Sequence, residues 1–287
     1  MSRIDRMNQR GVTLIELMIA LVISGAIVAG IYRTFLTQQH AYEVQEDVMD
    51  MQQNVRAALN EMTREIRMAG FGNIQSILPV TINGTTYNNI INPDTPVAGA
   101  LTMLSGIGGS VTLTKVNPPN IITVSSLNSD TGKLLFEAPP ADKRIYLSIG
   151  GSESFAITGV AGKTLTLNRN IDTTFKTDGA GNVTVPVSVY AIRAITYVIV
   201  PDASGTPVLR RNENLGGGNQ PLAEGIENVM FEFFDRDGAV AANPVDIRSI
   251  RVTATAITKN VDPRMKVGDG RRRKQVVSNV LLRNMGL

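Results

Sequence analysis

The chain of 287 residues contains neither cysteine nor tryptophan. Without cysteine it forms no disulfide, offers no thiol nucleophile and builds no Cys-ligated zinc site, so any exported domain must hold its core by packing alone. There is a single histidine, His40, beside Gln39 on the polar flank of a helical stretch. With no second histidine and no Ser-His-Asp spacing, the residues point to no catalytic group, no metal and no cofactor, and the chain is not expected to be an enzyme. Asp235-Arg236-Asp237-Gly238 lacks the third ligand and later glutamate of a calcium loop, so it reads as a hairpin turn. Gly216-Gly217-Gly218 lacks a strand-to-helix phosphate context and reads as a flexible turn. Charge of one sign is also scarce. The formal net charge is +3. The first eleven residues hold Arg3, Arg6 and Arg10 against Asp5, so without them it falls to +1 and global charge argues for no polyanionic partner.

What the chain does have is one long apolar run, Arg10 to Tyr32, interrupted by a single charge at Glu16. From Leu17 to Tyr32 no side chain is charged, and counted from Val12 the run reaches the roughly 20 residues that span a bilayer as a helix. A secretory signal would place a small-residue cut site after its apolar core, whereas Gly11 lies before this one, so the block stays on the mature protein. The basic leader faces the cytoplasm, and the acidic residues Glu43, Glu46, Asp47 and Asp50 beyond Arg33 mark the translocated side. A carboxylate in the first turns of a membrane helix costs about several kcal/mol unless it finds a partner. Glu16 therefore has two readings: it sits at the headgroups and favours the positive end of the helix, or it pairs with the terminal amine of a neighbouring helix and fixes axial register.

No proline interrupts Val12 to Ala69, and Val44, Val48, Met51, Val55, Leu59, Met62 and Ile66 recur at steps of four and three. One continuous helix is expected, its stripe seating a globular domain, with Gly70-Phe71-Gly72 as its stop. Beyond it the period changes to short β-like runs. Ile121 to Ser125, Leu134 to Glu137, Ile145 to Ile149, Phe155 to Thr158 and Thr164 to Asn168 fall in a β-rich stretch, and Val187 to Val200 follows it. Pro207 to Arg211, Ile226 to Phe234, Ile247 to Ile257 and Gln275 to Arg283 complete a second set, expected as one antiparallel sheet over the stripe. The basic run Arg271-Arg272-Arg273-Lys274 is a candidate contact loop for phosphates, with a solvated loop as the simpler reading.

Gly11-Val12-Thr13-Leu14-Ile15-Glu16-Leu17 resembles the class III signal of type IV prepilins and pseudopilins. The resemblance implies cleavage between Gly11 and Val12 by a membrane prepilin peptidase, N-methylation of Val12, and a register role for Glu16. The usual first mature residue in that signal is Phe, where this chain has Val12. Arg64-Glu65-Ile66-Arg67-Met68-Ala69-Gly70-Phe71, Pro207-Val208-Leu209-Arg210-Arg211, Leu222-Ala223-Glu224-Gly225-Ile226-Glu227-Asn228 and Leu282-Arg283-Asn284 resemble the PilW family of minor pilins, related to the J-type minor pseudopilins of type II secretion.

The fold expected is α+β and pilin-like, a long N-terminal transmembrane and amphipathic helix packed on an antiparallel β-sheet domain with a β-rich insertion. Its parts are a leader at 1–11, the helix at 12–72 with 12–33 in the membrane, the insertion at 73–186 and the C-terminal sheet domain at 187–287. The resemblance implies a structural subunit that helps initiate type IV pilus assembly, held in the bacterial inner membrane with its C-terminal domain in the periplasm and then placed in the filament, near its tip. Its partners would be other minor and major pilins, the prepilin peptidase and the inner-membrane assembly platform, with no nucleic acid. Two alternatives stay open, a minor pseudopilin of type II secretion and a tip subunit for adhesion or DNA uptake.

Overall fold

The computed structural model describes residues 12–71, 78–82, 84–94, 99–117, 119–128, 135–136, 145–150, 153–172 and 174–285. The chain divides into two compact units, Met1–Met49 and Asp50–Leu287. Helix α1 runs from Leu14 to Met68. Its N-terminal turns are apolar, with a mean hydropathy of 2.5 over an 18-residue window of which no residue is buried.

In the second unit the helix turns amphipathic. Met51, Val55, Leu59, Met62 and Ile66 are all buried, as their spacing predicts. Val44 and Val48, which lie in the first unit, are only half-buried. The helix stops at Gly70, whose positive φ of 75° is the left-handed conformation that ends helices. A Cβ there would meet the Asn284 carbonyl oxygen at 2.9 Å, so this stop requires glycine. Gly72, expected to help, lies outside the described residues.

The strands begin with β1 (Val80–Ile82), β2 (Thr85–Tyr87), β3 (Ile91–Pro93), β4 (Leu101–Asn117) and β5 (Ile121–Val124). Next come β6 (Tyr146–Ile149), β7 (Glu153–Ala161), β8 (Thr164–Leu167), β9 (Ser188–Pro201) and β10 (Pro207–Asn212). The last four are β11 (Gln220–Glu224), β12 (Ile226–Phe234), β13 (Ser249–Ile257) and β14 (Arg273–Leu281). Together with α1 they make an α+β fold whose strand pairs are antiparallel.

Among the described residues, nine strands share one sheet in the order β11-β10-β9-β6-β7-β8-β5-β4-β3, and β4 also pairs with β9. That extra pairing closes β9, β6, β7, β8, β5 and β4 into a ring, which removes sheet edges. Inside lie Leu113, Val124, Leu147, Phe155, Ile157, Leu165 and Val189, supplied by alternate positions of successive strands. Closure needs bends. Register shifts between Ile107 and Ser110, Leu113 and Lys115, and Ile157 and Gly159 supply them.

Strand β4 does not stand out in the sequence because Gly106, Gly108 and Gly109 read as breakers, whereas here they accompany a bulge inside one long strand. Of the strand expected over 134–137, only Leu135 and Phe136 are described. Both are buried outside any strand, their N–H groups donating to the Leu127 carbonyl at 2.9 and 3.3 Å.

The single sheet expected over the helical stripe is in fact two. Strands β9, β10 and β11 belong to the nine-stranded sheet, while β12, β13 and β14 form their own. Gly225 is the physical reason. At φ 71° it turns the chain between β11 and β12, its N–H donates to Pro207 at 2.9 Å, and its carbonyl accepts the Ile257 N–H at 2.8 Å. One residue thus bonds to both sheets.

Candidate functional site

The start of α1 is built by Thr13 and Glu16. Thr13 Oγ1 accepts the Glu16 N–H at 3.3 Å, and Glu16 Oε2 accepts the Thr13 N–H at 2.8 Å. Thr13 Oγ1 also donates to Glu16 Oε2 at 2.8 Å. This is a reciprocal capping box, the Thr-x-x-Glu pattern that satisfies otherwise orphaned N–H groups at a helix start. Sequence reading gave Glu16 the helix dipole or a neighbour's amine and missed this nearer partner, though the spacing of three was its signal. Within one chain, then, Glu16 is hydrogen-bonded but not ion-paired, and its charge remains uncompensated among the described residues. Val12, one residue before the cap, is 69% exposed. Gly11 and the rest of the leader lie outside the described residues.

The next turns present Leu14, Leu17, Met18, Leu21, Val22 and Ile27 to the outside. Thr34 and Thr37 fold their hydroxyls back onto the Gly30 and Arg33 carbonyls at 3.0 Å each, so neither adds an unsatisfied polar group to that surface. At Gly25 and Gly30 an added Cβ would meet nothing within 4 Å in this chain. Their own fold does not require glycine there, whereas close approach of a second helix would use it.

A second constellation, in the unit Asp50–Leu287, joins the helix to β9 and β10. Glu65 is 4% exposed, yet it is a carboxylate. Arg211 holds it with Nε at 3.1 Å from both oxygens and Nη2 at 2.7 Å from Oε1. Tyr197 donates its hydroxyl to Oε2 at 2.6 Å, and Arg193 Nη2 lies 3.6 Å from Oε1. Glu213 balances the two arginines, 3.3 Å from Arg193 Nη1 and 2.9 Å from Arg211 Nη2. Burial pushes the Tyr197 phenol well above its ordinary value, with the Glu65 charge and hydrogen bond adding to it. Burial opposes charge on Arg211, but the hydrogen bonds and charges of Glu65 and Glu213 outweigh it and raise its pKa. The network ties the helix to β9 and β10.

Residues 64–71, 207–211, 222–228 and 282–284 are linked to one another through α1, β10 and β11. Glu65 and Arg211 come from two of them. Asn284 Nδ2, from the closing one, donates to the Arg67 and Ala69 carbonyls at 3.4 and 3.3 Å, finishing the helix C-terminus. From the fourth, the Glu224 carbonyl accepts Asn54 Nδ2 at 3.4 Å, and Gly225 follows it. Their spacing in the sequence does not reveal that they touch. The sign was available, because Glu65 falls in phase with Met62 and Ile66 and a charge on a buried stripe demands a partner.

The basic run is partly spent within the chain. Arg272 Nη2 pairs with Asp262 at 2.9 Å, while Arg273 is held by Glu227 at 2.7 Å and Asp269 at 2.8 Å. Hydrogen bonds from the Arg273 side chain and then the Arg271 N–H hold the Asp269 carboxyl far below the usual range. Arg271 and Lys274 have no ion pair among the described residues.

Residues 6–32 match the prokaryotic N-terminal methylation motif. The match takes in the second half of the leader, the expected cleavage point and the exposed apolar turns of α1. No curated protein and no solved structure matches the chain.

Proposed function

We propose that this chain is a structural, non-enzymatic minor pilin that helps initiate assembly of a type IV pilus. The N-terminal methylation motif supports a prepilin-type substrate of prepilin peptidase, pilin or pseudopilin, and it is the observation that carries the reading. Cleavage after Gly11 would free the Val12 amine beside Glu16. The apolar turns of α1 would hold the subunit in the inner membrane, with the domain that follows in the periplasm, until assembly buries those turns among other helices.

Lipid is already apolar, so moving these turns from bilayer to bundle gains little from the hydrophobic effect. Packing and charge must select the partners. Glu16 keeps its Thr13 bonds in one chain and meets a neighbour's terminal ammonium in a bundle, which the capping box leaves room for because a carboxylate accepts about four hydrogen bonds.

Two measurements test the reading together. Intact mass and N-terminal sequencing of the native protein should give a mature chain beginning at Val12, and a chain beginning at Met1 would overturn the processing. Glu16→Ala should insert and be cleaved yet fail to enter filaments; normal piliation with the variant incorporated would remove its register role. Loss of protein secretion with intact pili would favour the pseudopilin alternative.

A further inference from the structure

Strand β14 pairs with β13 in unbroken register from Arg273 to Leu281 and, among the described residues, with no other strand. The Arg272 carbonyl accepts the Thr258 N–H at 3.0 Å, and the Leu282 N–H donates to the Arg248 carbonyl at 2.9 Å. Antiparallel pairing alternates, so the even-numbered residues between them bond to β13, and the backbone N–H and C=O groups of Arg273, Gln275, Val277, Asn279 and Leu281 face outward. The other terminal strands are blunted. Strands β1, β2 and β3 have three residues each, β11 contains Pro221, and β12 carries a register shift while its Phe233 carbonyl accepts the Ala241 N–H at 2.9 Å. Over its nine residues β14 has neither proline nor bulge, and an edge of that kind is a template for a further strand.

The two faces beside this edge differ in chemistry. Ser278 points toward α1, its Oγ 3.3 Å from Thr63 Oγ1, and a groove of about 440 Å³ there is lined by Asn60, Thr63, Arg64, Arg67, Ser278 and Arg283. Arg64 pairs with Glu61, whereas Arg67 and Arg283 make no ion pair among the described residues. A side chain directly opposite Ser278 on an added strand would share its face and enter this groove, where arginines favour a carboxylate. On the other face Val277 is 52% and Leu281 72% exposed, so apolar side chains fit opposite them. A second copy does not fit, because β14 set against β14 about a twofold axis would bring both sets of arginines together. We infer that the free edge of β14 takes up an extended segment of a different subunit, acidic on the face toward α1 and apolar on the other. The contact is strand addition, with backbone bonds supplying affinity and the two faces supplying selectivity. It deepens the minor-pilin reading and rests on it for the presence of other subunits alongside.

The test uses the full-length chain with Gln275, exposed on β14, replaced by a photo-crosslinking residue. After irradiation in native membranes the linked peptide is sequenced. It should come from a different exported protein and alternate Asp or Glu with apolar residues. Val277→Pro removes one outward N–H and spares the β13 ladder, a substitution that edge strands accept; it should abolish the link at a thermal midpoint near that of the parent chain. Arg67→Glu combined with Arg283→Glu should lower the yield about tenfold, and this pair decides alone if the proline lowers the midpoint. No link, a link to a second copy, a linked peptide without the acidic alternation, or a yield indifferent to the arginines overturns the contact. N-terminal sequencing of the same sample keeps the two ideas apart. A chain beginning at Val12 without the link sinks the edge contact alone, whereas a linked acidic strand on a chain beginning at Met1 sinks the prepilin processing and leaves the contact standing.

Discussion

Glu65 shows how one residue commits a surface. Its carboxylate receives Arg211, Arg193 and Tyr197 while nearly free of solvent. Removing one partner of a buried pair leaves the others charged and unsatisfied, a loss of about 3–5 kcal/mol. Glu65→Ala should therefore lower the thermal midpoint of the full chain sharply, and Glu65→Gln, which still accepts from Tyr197, should cost less; equal and small shifts for both would show that the network carries no weight. Tyr197 and Tyr87 add a pH dependence. Burial raises both phenol pKa values in the folded chain above their ordinary value of about 10. The folded state then keeps protons that the unfolded chain releases, so this contribution is full below about pH 10 and is lost as pH rises beyond it. Thermal midpoints should hold up to about pH 10 and fall as pH rises beyond it, and Tyr197→Phe should start lower but fall less steeply.

Among the elements, α1 was the most legible in sequence, because a stripe at steps of four and three has one structural solution and Gly70 has no alternative to the left-handed turn it makes. The strands of the second set were legible for a similar reason, Ile250, Val252 and Ala254 alternating with half-buried neighbours along β13. Their division into two sheets was not. It depends on Gly225, and a lone glycine before an apolar run does not reveal that its N–H and carbonyl bond to different sheets. Strand β4 was hidden because glycine in a bulge and glycine in a loop look alike. Gly225→Ala tests the seam. Its Cβ would sit 2.8 Å from the Ile257 carbonyl oxygen, at a φ that costs about 1–3 kcal/mol for a residue with a side chain. Limited proteolysis should then cut more readily between β11 and β12 at unchanged helix content, and wild-type resistance would mean that the two sheets tolerate separation there.

At the scale of the whole molecule, the question is whether the β-rich stretch of residues 73–186 is an accessory or part of the frame. Strand β9 decides it. Tyr197 through Ser188 pairs with β4, Ile192 through Val189 pairs with β6, and Thr196 through Pro201 pairs with β10. Both of its edges are used over Val189 to Ile192, by strands drawn from within that stretch. Deleting 73–186 would strip β9 of both along much of its length and expose Val189, Ala191, Ile192 and Ile195, all buried in the intact chain. An apolar strand with two open edges is a template for aggregation. The pairings of β10 with β11 and of β12 through β14 would survive, so a loss of stability could be assigned to β9 itself. The deletion variant should insert through α1 and be processed at its N-terminus, yet accumulate as aggregate or be degraded at β9. If it gave a soluble, protease-resistant domain instead, β9 to β14 would form a self-sufficient fold and the ring of strands would be a true insertion upon it.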